Sequence, residues 1–500
     1  MLNSGSVDAG GVLALDAGTT SVRAVAFSAS GGRLAWAQHP VTQYYPQSGW
    51  VEHDADEILA VAARVIRDVS QNPRSGKLTG LGLTNQRETV VVWERGSGRP
   101  IHRAIVWQDR RTEVVCAELR AAGAEEAIAA RTGLRCDPYF SATKIAWILD
   151  HVAGARARAE RGELLAGTID TWLIWQLTGG RVHATDPTNA SRTLLYDLRQ
   201  GAWDESLCAQ FRVPRSLLAE IRPSVGDFGH LDPYLTGSDL PIRAVIGDQQ
   251  AAAVGQGCVY PGSAKATFGT GAFVLLHTGG TALHSQQRLL STVALDAQYR
   301  PAFALEGSIF NAGTVVQWLR DGLGIIADAP STSVLAASVA DTGGVVMVPA
   351  FTGLGAPWWD ADARGLICGM TRATTPAHLA RAALESVAYQ TEDLLLAMAG
   401  DGQSCAVLRV DGGMAANDWF CQFLADQLGI VVERPVDIET TVRGAAILAL
   451  SGLSAAGTAG LPSTQAAAWW QVERQFQPDS TAPRASRRTA WLAAIARARS

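Results

Sequence analysis

Two hairpins of the same design, one near the start of the chain and one just past its middle, constrain this sequence most. The first reads as a strand over Gly11–Asp16, a tight turn Ala17–Thr20 and a returning strand Val22–Ser28, followed by a turn at Ser30, Gly31 and Gly32. The second, KATFGTGAFVLLHTGG from Lys265, again sets a Gly-Thr turn between two apolar strands. Halves that open alike imply an ancient doubling. No period of roughly 20–50 residues runs through the chain, which excludes solenoids and propellers. Helical patterns follow each strand group, near Lys144–His151, near Val315–Asp321, and from Pro376 (after an N-cap at Thr375) to Gly400. The alternation predicts two α/β domains with mixed sheets, over residues 1–250 and 251–500, meeting near Gly247–Gly257. Ligands of such architectures collect at strand ends between the domains.

Charge and cysteine usage narrow the function classes. Lys and Arg number 42 against 47 Asp and Glu, a net charge of −5, so nothing is provided to neutralise a nucleic-acid backbone. The seven cysteines are scattered without a C-x-x-C, and no signal peptide is legible at the N-terminus, so a cytoplasmic location is expected. The uncharged run between Arg443 and Glu473 is broken by Gly452, Gly457, Gly460 and Pro462. It is expected to be a buried helix followed by a loop, with no membrane insertion. The tail Trp469–Trp491 is expected to form a closing helical segment on the second half.

Several short motifs carry chemistry. Asp16-Ala17-Gly18-Thr19-Thr20-Ser21 sets backbone N–H groups and hydroxyls around a turn, which suits a phosphate, behind a carboxylate that suits a Mg²⁺ water shell. Phe268-Gly269-Thr270-Gly271 and Val410-Asp411-Gly412-Gly413 are further glycine turns at strand ends, and neither a Walker sequence nor a G-x-G-x-x-G opening a helix is present. Asp248, after the apolar run Ile242–Ile246, is placed to take a proton from a hydroxyl attacking a phosphoryl group, or else to cap a helix. Arg87-Glu88, after the strand Gly80–Thr84, offers donors beside an acceptor, as vicinal hydroxyls require; a solvent-exposed ion pair is the plainer alternative. Trp107, Tyr139 and Phe273 could wall a small polyol's carbon chain, or simply belong to the core.

These stretches, with SGWVEHD, AIVWQDRRT, DPYFSATKIAWILDH and VPAFTGLGAPWWD between them, resemble the FGGY family of carbohydrate kinases over nearly the whole chain, most of all its glycerol-phosphorylating members. The resemblance implies two actin-like ATPase (ribonuclease H-like) domains with an interdomain active-site cleft. It implies ATP and Mg²⁺ as cofactors, glycerol as the acceptor, and a homo-oligomer, either dimer or tetramer. Asp248 would be the catalytic base, with Asp16 and Asp248 on the metal. Arg87, Glu88, Trp107, Tyr139, Asp248, Gln249 and Phe273 would bind glycerol. Thr19, Thr20, Ser21 and Arg23 would serve the phosphates, and Thr270, Gly313, Gln317, Gly413 and Asn417 the nucleotide. Ala17, Asp109 and Arg443 depart from the family's usual residues, and His230 falls near a histidine that some relatives phosphorylate. A kinase for another small polyol or sugar, and an actin-like ATPase without kinase activity, remain the alternatives.

Overall fold

The computed structural model describes residues 10–455 and 468–499; the loop expected within 456–467 lies outside the described residues. The first half is built on β1 (Gly11–Ala17), β2 (Ser21–Phe27), β3 (Arg33–Pro40), β4 (Leu78–Asn85) and β5 (Ile242–Gly247). They lie in the order β5-β4-β1-β2-β3, with β5, β4 and β1 mutually parallel and β2 and β3 antiparallel. Every residue of β1, GVLALDA, is buried, as suits a central strand covered on both faces.

The second half repeats the plan. Its strands are β6 (Ala264–Phe268), β7 (Ala272–Gly279), β8 (Leu290–Leu295), β9 (Pro301–Ile309), β10 (Val407–Asp411), β11 (Val431–Pro435) and β12 (Val472–Phe476). Within them β11-β10-β6-β7-β9 has the same order and the same senses as the first sheet, with β8 and β12 added at the edges. Two copies of one mixed sheet, each opened by a hairpin, are the doubled architecture of the actin-like ATPases. The doubling read from the hairpins therefore extends through the whole sheet.

Short strands drawn from residues 43–53 and 90–168 form an addition that no sequence pattern announced. A second five-stranded sheet pairs Gln43–Tyr44, Glu52–His53, Ala104–Ile105, Val90–Glu94 and Leu164–Thr168 in antiparallel fashion. Its strands are too short to show alternation, but the sheet supports Trp107 and Tyr139.

The helices α1 (Ala55–Ser70), α2 (Asp248–Gly255), α3 (Pro376–Gly400), α4 (Thr440–Ala455) and α5 (Arg484–Ala498) complete the frame. The start of α3 is the predicted one: Thr375 caps it, and the Thr375 backbone N donates to His378 Nδ1 at 3.1 Å. Helix α4, although it comes late in the chain, packs on β1, β4 and β5 of the first sheet and crosses α2. Small residues permit that crossing. A Cβ on Gly444 would lie 1.9 Å from Ala251 O, and one on Gly255 2.0 Å from Thr440 O. Among the described residues no helix is long and apolar enough to cross a membrane.

The tail departs from its expected form. Residues 472–476 add the edge strand β12, and only Arg484–Ala498 is helical. Trp491 is buried in the second half's core, whereas Trp469 packs on Phe27 of the first half, with ring centroids 5.9 Å apart. Four of the five residues of VERQF are exposed, the charged Glu473 and Arg474 among them, as suits an edge strand.

Candidate active site

A cleft of about 230 Å³ opens where the ends of β1, β4 and β5 meet the Gly269–Gly271 turn of the second half. The turn after β1 contributes Thr19 and Thr20; the segment after β4 contributes Gln86, Arg87 and Glu88; α2 contributes Asp248 and Gln249. Parallel strands that end together bring these distant segments to one place. Trp107, Tyr139 and Phe273 line the same cleft. Trp107 stands edge-on to Tyr139 and Phe273, with centroids 5.6 and 5.9 Å away, and its Nε1 donates to Thr19 Oγ1 at 3.0 Å. All seven residues expected to bind the acceptor therefore meet in one cleft.

Arg87 and Glu88 are not an exposed pair. Both are buried, within a closed ring of charges that sequence reading missed. Arg87 forks onto Glu306, Nη1 to Oε2 at 2.6 Å and Nη2 to Oε1 at 3.0 Å. Arg192 donates to Glu88 Oε1 at 2.7 Å and to Glu306 Oε1 at 2.8 Å. Burial opposes the charge on Glu306, but Arg192 and Arg87 outweigh it and hold the carboxyl down at about 2. Arg192 follows the Asp186–Ala190 turn, and Glu306 interrupts the apolar strand PAFALEGSI. A charge inside an apolar strand was the available signal. Lys265 in β6 shows it too: buried, it donates to Gln249 Oε1 and to Thr267 Oγ1.

Asp248 is the first residue of α2, and Gly247, not Asp248, occupies the capping position. That removes the cap as an account of the aspartate. Its Oδ1 accepts from Gln249 N at 2.7 Å and lies 3.2 Å from Arg87 Nε. Burial pushes its carboxyl up to about 6; Arg87 and Lys265 pull it down, while Glu88 and Asp16 add to the rise. A carboxylate so poised is ionised at neutral pH yet basic enough to accept a proton.

A larger cavity, about 560 Å³, adjoins the first and shares Gly269 and Thr270 with it. Thr270, Gly313, Gln317, Gly413 and Asn417, all five residues expected at the nucleotide, line it. Gly412 has φ +85°, and a Cβ there would lie 2.5 Å from Phe268 O, so the turn after β10 is pressed against the end of β6. Ser21 and Arg23 line neither cavity. Ser21 Oγ accepts from Gln38 Nε2 at 2.8 Å, and Arg23 Nε donates to Asp16 at 3.0 Å while Nη1 pairs with Glu439.

Asp16, the penultimate residue of β1, is buried beside the Gly18–Thr20 turn and lines neither cavity, but its charge reaches Asp248. Among the described residues no cluster of three or more His, Cys, Asp or Glu could cage an ion. Two carboxylates suit Mg²⁺, which keeps several waters and takes one or two carboxylates together with substrate phosphates.

The departures from the family's usual residues have local accounts. Asp109 faces away from the cleft: buried, it accepts from Arg111 Nε at 2.9 Å and from Val51 N at 2.6 Å. Beside Ala17, the Gly18–Thr20 turn is supported by Gln86, whose Nε2 donates to Gly18 O at 3.2 Å. Arg443 binds Trp469 O and Asp437 Oδ2, each at 2.6 Å. His230 lines neither cavity; its Nδ1 lies 3.4 Å from Asp239 Oδ1.

Comparison with known proteins covers both halves. The model of the FGGY carbohydrate kinase N-terminal domain matches residues 11–255 and that of the C-terminal domain 264–453. The chain is 53% identical over 494 residues to a glycerol kinase of Rhodospirillum centenum, covering 98% of each. It is 53% identical over 490 residues to one from Rhodospirillum rubrum, covering 97% of this chain and 98% of the other. Among solved structures, Plasmodium falciparum glycerol kinase with ADP superimposes with a TM-score of 0.88 at 34% identity, over 98% of both chains. Two family models spanning both sheets, with relatives alike from end to end, leave one conclusion: this chain belongs to the FGGY family of carbohydrate kinases.

Proposed function

We propose that the protein is a glycerol kinase, transferring the γ-phosphoryl group of ATP to glycerol to give sn-glycerol 3-phosphate and ADP. The observation that carries this reading is the junction of the two cavities. A small cleft with an aromatic wall and an Arg-Glu pair meets a larger cavity at the Gly269–Thr270 turn. The small one suits a three-carbon polyol and the large one a nucleotide, so the γ-phosphate would lie at their junction. The relatives named as glycerol kinases support the choice of acceptor.

In this reading Arg87 donates to one glycerol hydroxyl and Glu88 accepts from another, while Trp107 and Phe273 cover the carbon chain. Glu88 Oε1 is held by Arg192, leaving Oε2 for the substrate. Tyr139 stays protonated, because burial raises its phenol well above the ordinary value, and so it remains a donor beside Arg87. Asp248 takes the proton of the reacting hydroxyl as that oxygen attacks the γ-phosphorus. The bond to the β–γ bridging oxygen breaks, and ADP leaves. Asp16 and Asp248 would hold Mg²⁺, which supplies charge neutralisation to the phosphates when bound. The glycine turns at Gly18 and Gly269 offer backbone N–H groups to the phosphate chain. An oligomer and a cytoplasmic location remain part of this proposal, by family resemblance.

ADP release measured across glycerol, erythritol, xylulose, ribulose and gluconate tests the acceptor. Glycerol is expected to have the highest kcat/KM, and a sugar that exceeds it overturns the choice of substrate.

Gly413 tests the nucleotide half. A Cβ at this position meets nothing within 4 Å, so Gly413→Leu should fold and project into the larger cavity. The KM for ATP is expected to rise at least about tenfold, the scale of a lost apolar contact or a modest clash, with the KM for glycerol little changed. An unchanged ATP KM removes Gly413 from the site.

A further inference from the structure

We propose that Glu306 is a positioning and specificity-determining residue, which keeps the acceptor cleft electrically neutral so that it takes an uncharged polyol and rejects one bearing a carboxylate. The inference rests on the reading of the cleft as a polyol site. Four side chains form the ring, Arg87 and Arg192 against Glu88 and Glu306, two positive and two negative. All four are buried. Three come from the first half, whereas Glu306 projects from β9 of the second, so each half completes the other's charge balance.

The geometry explains why this matters for choice of substrate. A guanidinium fork is the natural partner of a carboxylate, and Arg87 lies in the wall of the cleft. Glu306 already occupies that fork with both of its oxygens. Arg87 is thereby left with weaker bonds to offer, such as that to Tyr139 Oη at 3.4 Å, a direction suited to a hydroxyl. Asp248, 3.2 Å from Arg87 Nε, and the buried Lys265 add one further charge of each sign, so removing the charge of Glu306 while keeping its shape would leave Arg87, Arg192 and Lys265 against Glu88 and Asp248. A buried net positive charge of that kind recruits an anion. D-Glycerate, which replaces one hydroxymethyl group of glycerol with a carboxylate, is the matched probe.

Titration calorimetry with glycerol and with D-glycerate, in the absence of nucleotide, tests this on the full chain. Wild type should bind glycerol and discriminate against D-glycerate. Glu306→Gln should weaken glycerol and tighten D-glycerate, each by at least about tenfold, the range over which a single unpaired charge shifts specificity. A loosened fold would weaken both ligands, so the gain for D-glycerate separates the charge effect from simple damage. The double substitution Arg192→Gln with Glu306→Gln restores neutrality and should again discriminate against D-glycerate; it also serves where the single variant does not fold. A folded Glu306→Gln protein with both affinities within about twofold of wild type overturns the proposal, as does a double variant that gains D-glycerate binding. A wild type that binds no glycerol overturns the polyol reading instead, and the ring is then judged on D-glycerate alone.

Discussion

Asp248→Asn is expected to lower glycerol-dependent kcat by about 10²–10⁴-fold, the usual contribution of a general base. The amide keeps the size of the side chain and one acceptor oxygen, but it cannot take the proton of the attacking hydroxyl. Nor does it keep the negative charge that, with Asp16, would hold Mg²⁺. Glycerol affinity should change far less, because the amide still bonds a hydroxyl. Stability should hold as well, since Gly247 rather than Asp248 occupies the capping position of α2. In wild type, kcat/KM should fall as pH drops through about 6, where Asp248 becomes protonated and can no longer act as a base. A folded Asp248→Asn enzyme that keeps more than about a tenth of wild-type kcat would exclude this role for the residue.

Gly444→Val should produce the largest loss of stability. The backbones of α2 and α4 pass so close that even the first carbon of a side chain on Gly444 would lie 1.9 Å from Ala251 O. Backbone cannot rotate aside as a side chain does, so one helix must move by more than an ångström within a close-packed region. Ordinary overpacking costs about 1–3 kcal/mol, and this contact belongs at or above the upper end. At about 2–4 °C per kcal/mol for domains of this size, Tm should fall by roughly 6–12 °C. Activity should drop in the folded fraction too, because α2 carries Asp248 at its first turn. A wild-type Tm for this variant would show that the helices do not cross so closely.

The two hairpins and the capped helix α3 were legible because each depends on local chemistry, whereas Gly313, Gln317 and Asn417 of the larger cavity were reached only through the family resemblance. Glycine turns, N-caps and aromatic residues announce themselves within a few positions. Arg192 and Glu306 were not legible as partners: they stand 114 residues apart and meet only when β9 closes against the first half. The exposed reading of Arg87 and Glu88 failed for the same reason, since their burial depends on partners that no local window contains. Ser21 and Arg23 open the strand that follows the first turn, and their partners, Gln38 for Ser21 and the Asp16 and Glu439 pair for Arg23, are again remote in sequence for all but Asp16. The short-stranded sheet under Trp107 has too few residues per strand for any periodicity to appear.

Helix α4 has a consequence for how the chain is made. One face of the first sheet, with Val12, Ala14, Val25 and Phe27, is covered by Val442, Ala445, Ile447 and Leu448 of that helix. Synthesis proceeds from the N-terminus, so β1 and β2 emerge long before α4 does, and their apolar side faces solvent until most of the second half has been translated. The stretch that completes the first half is made only after β10 and β11 of the second. The sequence boundary between the halves is therefore not a boundary between folding units, and a ribosome that stalls after β5 presents a half-covered sheet rather than a finished domain.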